Sequence, residues 1–291
     1  MRIVVLSEFE ATKLNMVINS LQNMGYDIPL VITTPGLSKK LNEEKMERFK
    51  QRLINLSYNQ SVLIIMNSKL LSNILVGIEP DIILTMKFPF RLPKSVLDIP
   101  RFGAINFHPS KLPQYRGPNP IGWQVLNNEP FMSLTFHFMR EEYDSGPIIV
   151  QDQIPITEKD DIRSLVEKMF PLTVMRLLPE ALRLVGDGYL GIEQDHDEAT
   201  YAPSFSEAQR TIDWTKSTKD IVRLVRATAF HGVVAKTDKG SYQVFRCDSW
   251  SGKLHTPSQI GEEITEAQEG GFLVRTSDGC LLITEYKDID Y

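Results

Sequence analysis

The sequence predicts an α/β fold: a doubly wound, mostly parallel sheet followed by a small C-terminal, mostly-β barrel domain. Three observations carry this reading. Short continuous apolar runs recur through the first 108 residues, as expected of strands covered on both faces. Segments with apolar residues at helical spacing separate them, which is the β-α-β-α alternation of a parallel sheet. Beyond residue 208 the pattern changes to brief strand-like runs punctuated by Gly, the habit of a small barrel.

Taken in order, "RIVVL" (2–6) is the first strand. "ATKLNMVINSLQNMG" places Leu14, Val17, Ile18 and Leu21 at helical spacing, with Gly25 as the stop. "IPLVITT" is a second strand, and "GLSKKLNEEKMERFKQRLINL" is charged and periodic, a helix or a long excursion. "SVLIIMNS" gives a third strand, "SKLLSNILVGI" a short helix and "PDIILTMKF" a fourth strand. "KSVLDIP" is a short helical segment, and "FGAINFH" is a fifth strand. "SLTFHFM" (133–139) alternates and pairs as a hairpin with "GPIIVQDQIPI", and the loop between them, "REEYDSG", carries Asp144. "DDIRSLVEKMFPLTVMRLLPEALRLVGDG" is helical, interrupted at Pro171 and Pro179.

Composition then shifts. "QDHDEATYAPSFSEAQ" is polar and contains Pro, which reads as a linker. "DWTKSTKDIVRLVRATA" opens a helix with Asp213 or Thr215 as its cap and Ile221, Val222, Leu224 and Val225 on its apolar side. "GSYQVFRCDSW", "GEEITEA", "GGFLVRTSDG" and "CLLITEY" are the strand-like runs that follow. The expected division is a first domain over 1–190, a linker over 191–207 and a C-terminal domain over 208–291.

With 291 residues, 42% apolar and 24% charged, the chain has material for a sizeable core. Its formal net charge of −5 argues against a surface coated with nucleic-acid-binding charge. Two cysteines, Cys247 and Cys280, make neither a disulfide scaffold nor a zinc cluster, so no metal and a reducing cytoplasm are expected. The opening "MRIVVLSEFEA" is broken by Ser7 and Glu8 and reads as a strand rather than a signal peptide. No apolar run approaches the ~18 residues of a membrane span.

Asn106 and His108 stand two positions apart at the end of the fifth strand, so strand geometry turns both to one side. In a doubly wound sheet, ligands gather beyond the carboxyl ends of the strands. A His near neutral pKa can take a proton from an attacking amine. An Asn amide is a fixed donor for a developing oxyanion, worth about 10²–10³ in rate. The Asp144 carboxylate can orient the His or raise its pKa. Together they suit acyl transfer with the acceptor amine as nucleophile. Spacing alone leaves a second reading open: a polar turn in which His108 bonds a loop carbonyl, Asn106 caps the backbone and Asp-Ser-Gly is ordinary turn chemistry.

Over a longer span, "GAINFHPSKLPQYRGPNPI" followed by "SLTFHFMREEYDSGPIIVQ" resembles the active-site pattern of the formyltetrahydrofolate-dependent formyltransferases. That family includes methionyl-tRNA formyltransferase, glycinamide ribonucleotide transformylase and the amino-sugar N-formyltransferases. "FPFRLPKSVLDIPRFG" is similar to its folate-loop region, and "TIDWTKSTKDIVRLVRA" to the start of the C-terminal domain of the methionyl-tRNA and sugar enzymes. The resemblance implies a formyltransferase-type Rossmann-like fold, N10-formyltetrahydrofolate as co-substrate, and Asn106, His108 and Asp144 as the catalytic triad. It implies direct transfer: the amine attacks the formyl carbon, Asn106 and His108 stabilise the oxyanion, and His108 or Asp144 moves the proton. It also implies a pterin pocket near Phe88, Phe90, Leu92, Met139 and Tyr143, with Ser110, Arg116 and Gly117 on the acceptor side; Trp123, a few residues past the Arg-Gly-Pro loop, reads either as lining the acceptor side or as core packing.

The expected acceptor is a small-molecule primary amine, a nucleotide-linked amino sugar, because "PNPIGWQVLNNEP" resembles the sugar enzymes. Residues 38–52 hold several Lys and Arg, yet Glu43, Glu44 and Glu47 dilute them, and the chain ends at Tyr291 soon after its last strand. Methionyl-tRNA and a siderophore or peptide-precursor amine are the alternatives. A non-catalytic folate-binding module is disfavoured because all three triad residues are present. A nicotinamide oxidoreductase is disfavoured because "SEFEATKL", not G-x-G-x-x-G, follows the first strand. Glu8 and Glu10 there depart from the family's usual loop. His137 reads as structural, His231 and His255 as surface or loop residues, and Trp214 as packing the domain junction rather than binding ligand. A homodimer follows from the resemblance to sugar-specific enzymes.

Overall fold

The computed structural model describes residues 1–35, 43–57, 60–252, 258–264 and 271–289. Two compact units emerge. The first comprises Met1–Arg116, Ser133–Gln153 and Met169–Tyr201, and the second Gly117–Met132, Ile154–Lys168 and Ala202–Tyr291.

The first unit is built on a seven-stranded sheet. β1 (Arg2–Ser7) leads through α1 (Ala11–Asn23) to β2 (Asp27–Thr33), then α2 (Glu43–Ser57), β3 (Val62–Ile64) and α3 (Leu71–Ile78). β4 (Ile82–Met86), α4 (Lys94–Leu97) and β5 (Ala104–His108) follow. Positions 36–42 of the predicted charged helix, including the first basic residues of 38–52, lie outside the described residues, as does His255. After α5 (Pro120–Leu126), which belongs to the second unit, come β6 (Phe131–Phe138) and β7 (Ile148–Pro155). The strand order is β3-β2-β1-β4-β5-β6-β7. The pairs among β1 to β5 are parallel, and β5–β6 is antiparallel.

The central strands are apolar because they are covered on both faces: Ile3 to Leu6 of β1 and Ile82 to Leu84 of β4 are fully buried. α1 buries Leu14, Val17, Ile18 and Leu21, each worth about 1.5–3 kcal/mol relative to exposure. β3 is shorter than the eight-residue run that announced it. It is an edge strand, and Asn67 Oδ1 accepts the Lys69 N–H to turn the chain away.

The predicted interruption at two prolines takes a specific form. α6 (Ile162–Leu172) holds Pro171 in its last turn, a π-helical segment spans Thr173–Leu177, and α7 (Leu178–Gly186) starts with Pro179 in its first turn. The Leu178 N–H bonds the Thr173 carbonyl. Pro179, which has no N–H, therefore enters where the ladder is already out of α register. The polar stretch read as a linker lies along this unit as far as Tyr201: Ile192 bridges Ile148, and Tyr201 bridges Arg116.

In the second unit, α8 (Thr218–Thr228) packs with β8 (Val233–Lys236), β9 (Ser241–Trp250), β10 (Glu263–Ile264), β11 (Phe272–Arg275) and β12 (Cys280–Asp288). Its cap is Ser217, not Asp213 or Thr215. Ser217 Oγ accepts the Asp220 N–H and donates to the Asp220 carboxylate, whereas Asp213 spends its carboxylate on Thr215. β8 is a strand the sequence reading did not pick out. The sheet order β10-β11-β12-β9-β8 curls into a half-barrel. Glu263 on edge strand β10 accepts from Tyr242 Oη and takes its own N–H to Asp238, in the turn joining β8 and β9. Trp214 lies in this unit's core with Ile221, Val225, Val244 and Leu281, and its indole donates to the Lys236 carbonyl. Among the described residues, no helix is long and apolar enough to cross a membrane.

Candidate active site

Asn106 and His108 end β5 beside antiparallel β6, where Asn106 faces His137 and His108 faces Thr135. An antiparallel neighbour brings facing side chains within reach of each other. Asn106 Oδ1 accepts from Thr85 Oγ1 at 2.7 Å, and its Nδ2 lies 3.1 Å from His137 Nε2. His137 Nδ1 lies 2.7 Å from the Phe138 carbonyl oxygen. That oxygen can only accept, so Nδ1 carries the proton and Nε2 receives the Asn106 N–H. The amide is thus oriented at both ends, with a second N–H left for a substrate oxygen.

His108 is buried, and its Nε2 donates to the Tyr115 carbonyl at 2.9 Å. Nδ1 therefore faces Asp144, whose Oδ1 is 3.5 Å away and stands 3.7 Å from His137 Nε2. Burial pulls His108 below the ordinary histidine value, against the Asp144 carboxylate and the Tyr115 carbonyl, which pull it up. A neutral ring with its proton on Nε2 turns a lone pair toward a carboxylate. A proton taken up at Nδ1 turns that repulsion into attraction. The pair is built to accept or release a single proton.

Two non-glycine residues here have left-handed backbone, Tyr115 at φ 60° and Asp144 at φ 54°, a conformation that surrounding contacts must hold. For Tyr115 the holder is Ser110. Its hydroxyl donates to the Gln114 carbonyl at 2.8 Å, and its own carbonyl accepts from Thr135 at 2.6 Å. For Asp144 it is the turn around Gly146, where a Cβ would lie 2.0 Å from the Phe138 carbonyl oxygen. Gln194 completes the frame, donating to the Asp144 and Gly146 carbonyls and accepting from Arg116. The sequence reading had no signal for Gln194.

Of the predicted pocket residues, Phe88, Phe90, Leu92 and Met139 share one apolar cluster, with the two Phe rings edge-on at 5.6 Å. Leu92 is buried within that core, and Tyr143 stands apart at 55% exposure. Of the predicted acceptor-side residues, Ser110 is fully buried beneath the loop, and Arg116 lies against Gln194 and His196. Gly117, at φ 109°, begins the second unit. Trp123 is in that unit too, donating to the Pro203 carbonyl at 2.7 Å and packing on Phe205.

Comparison with known proteins matches residues 1–182 to the formyl transferase family and residues 205–290 to the formyl transferase C-terminal domain. Eight curated relatives named methionyl-tRNA formyltransferase are 30–34% identical. That of Borrelia recurrentis (strain A1) is 31% identical over 271 residues, 91% of this chain and 85% of its own. In fold, the chain is similar to HypX from Aquifex aeolicus in complex with tetrahydrofolic acid, at a TM-score of 0.74 and 20% identity. That match covers all of this chain but only 44% of HypX. A sugar N-formyltransferase from Shewanella sp. gives a TM-score of 0.65 at 19% identity, covering 88% of this chain and 99% of its own. The His108–Asp144 pair beside an oriented Asn106 thus sits in a chain matched along most of its length, and that chain belongs to the formyl transferase family.

Proposed function

We propose that this formyltransferase moves the formyl group of N10-formyltetrahydrofolate onto the amine of methionyl-tRNA, with Asn106, His108 and Asp144 as its catalytic residues. The observation that carries the chemistry is the convergence of an oriented amide donor and a buried His–Asp pair at the end of β5. When bound, the donor supplies a formyl carbon attached to N10 and open to attack by an amine. The second N–H of Asn106 donates to the formyl oxygen as negative charge develops there. The His108–Asp144 pair takes the proton that the attacking amine sheds and returns one to N10 as the old C–N bond breaks, so the enzyme ends with the protonation it started with. Phe88, Phe90 and Met139 form the apolar wall for the folate ring.

Support for the acceptor comes from the eight relatives given above, which are named for methionyl-tRNA. The resemblance of "PNPIGWQVLNNEP" to the sugar enzymes favours a nucleotide-linked amino sugar, and the names of the relatives favour methionyl-tRNA. The sugar stays as the second reading because the formal net charge of −5 gives a polyanion little general attraction.

The test is a direct competition of acceptors. Purified protein with N10-formyltetrahydrofolate is expected to formylate charged initiator methionyl-tRNA. Formylation of nucleotide-linked amino sugars alone would replace this acceptor assignment with the second reading. His108→Ala is expected to lose about 10²-fold or more in turnover, and near wild-type turnover would remove His108 from the mechanism.

A further inference from the structure

We infer that Gln194 is a positioning residue for formyl transfer, its carboxamide tying the Asp144 turn and the Arg116 guanidinium together beside His108. The inference rests on the catalytic reading of His108 and Asp144 given above.

Gln194 is 5% exposed, and its polar capacity is spent inside the site. Its two N–H groups go to the carbonyls of Asp144, at 2.8 Å, and Gly146, at 2.7 Å. Its Oε1 accepts from Arg116 Nε at 3.1 Å and Nη2 at 2.6 Å. The two carbonyls flank Ser145 in the turn where Asp144 has φ 54° and Gly146 has no room for a Cβ. A primary amide offers two donors on one side and an acceptor on the other without bringing in a charge. A carboxylate lacks the donors, and a thioether of equal length lacks the donors and accepts only weakly.

Gln194 is itself held from behind. Ile192 and Ile148 exchange backbone hydrogen bonds of 2.8 Å in both directions, and Gly191, at φ 80°, allows the approach because a Cβ there would meet Pro147 at 2.8 Å. Arg116 is further fixed by donating to His196 Nδ1 at 3.1 Å and by its N–H to the Thr200 carbonyl at 2.9 Å. The amide is therefore a rigid strut between two chain segments.

The strut has an electrostatic consequence. The charged and titratable groups bearing on His108 are Asp144, His137 and Arg116. Burial lowers the proton affinity of His108, Asp144 raises it, and His137 and Arg116 lower it. Burial is the largest of these influences and Arg116 the smallest, so the held guanidinium adds to a preference for the neutral ring that burial sets. Releasing it lets the proton affinity of His108 rise.

The experiment compares wild type with Gln194→Met, which keeps the side chain's length and loses every hydrogen bond, and Gln194→Glu, which keeps the acceptor for Arg116 and loses both donors. In ligand-free protein, the His108 titration followed by 1H–13C NMR is expected to move to higher pH in Gln194→Met. It is expected to move further in Gln194→Glu, whose carboxylate offsets the Arg116 charge. In turnover, Gln194→Met is expected to lose about 10- to 100-fold in kcat with KM for both substrates within about twofold. A role confined to folding would lower the melting temperature and leave the His108 titration where it was. An unmoved titration in either folded variant, or a Gln194→Met kcat within twofold of wild type, overturns the inference. The NMR arm needs no acceptor, so it decides the coupling even if wild type formylates none of the amines tried, an outcome that would instead sink the functional reading.

Discussion

Asn106 and His137 face each other across β5 and β6, with the amide nitrogen 3.1 Å from Nε2. The ring offers a lone pair there only because its Nδ1–H is tied to the Phe138 carbonyl. Without the ring, the side-chain hydrogen bond left to the amide among the described residues is that from Thr85. His137→Ala is therefore expected to cost about 10- to 100-fold in kcat, with KM for the folate donor nearly unchanged. His137→Gln, whose carboxamide oxygen can accept the same N–H, is expected to recover part of the loss. Steady-state kinetics on the three proteins decide it, and an unaffected kcat in His137→Ala would return the residue to a purely structural role.

The state of His108 sets a pH dependence. Burial favours its neutral form in the folded protein, whereas the unfolded chain titrates near the ordinary value of about 6.5. The proposed mechanism needs the pair able to accept a proton, so kcat/KM is expected to rise along an acid limb below that value and to be level at pH 7. The folded-state pKa is lowered, so the unfolded chain binds more protons as pH falls below the ordinary histidine value. The stability that His108 contributes is thus full above that value and is lost as pH falls toward the folded one. Urea midpoints and pH–rate profiles collected together check both signs, and an acid limb above the ordinary value contradicts the assignment.

How much of this was readable beforehand differs residue by residue. β1 and β4 were plain because a strand buried on both faces has to be continuously apolar. Asn106, His108 and Asp144 could be picked out from strand periodicity together with the family pattern. The partnership of Asn106 with His137 could not, because it depends on which residues of β5 and β6 lie opposite each other. That His108 bonds a loop carbonyl was one of the two readings open in the sequence, but that the carbonyl is Tyr115's was not legible, because residue identity says little about where a backbone group lies. Gln194 was misjudged for a physical reason: polar composition marks a segment as linker-like, yet its burial is decided by carbonyls some 50 residues back along the chain. Ser217 and Asp213 are both good caps by type, and the choice fell to Thr215 occupying Asp213 first.

Gly146 marks where the Asp144 turn has no tolerance. A Cβ there would sit 2.0 Å from the Phe138 carbonyl oxygen, and Phe138 is itself fastened through its N–H to the Pro147 carbonyl. No flexible side chain can give way, so the backbone must. Gly146→Ala is expected to cost about 3 kcal/mol or more and to depress kcat by displacing Asp144. Gly188→Ala is the control: it also has a left-handed backbone, at φ 84°, but nothing lies within 4 Å of its Cβ direction. Its cost is expected to be about 1 kcal/mol. Denaturant midpoints of the two variants separate steric from conformational cost, and equal costs would mean the turn can relax.

Asp160 gives the second unit an acid-sensitive anchor. It is 3% exposed and accepts from the Thr157 N–H at 2.9 Å, Thr157 Oγ1 at 2.7 Å, Ser164 Oγ at 2.8 Å and Lys168 Nζ at 2.5 Å. Burial by itself would raise the carboxyl, but those donors, led by Lys168, hold it well below the usual carboxylate range. A depressed carboxyl contributes its full stability above the ordinary Asp value of about 3.9 and loses it as pH falls from there toward the folded value. Asp160→Asn removes the charge and turns an amide N–H toward donors that then lack an acceptor. At pH 7 it is expected to cost about 3 kcal/mol. The gap from wild type is expected to narrow below pH 4, as the wild-type advantage titrates away. Urea denaturation at pH 7 and pH 3 measures both, and a gap that stays constant between them would show that packing, not charge, is what Asp160 supplies.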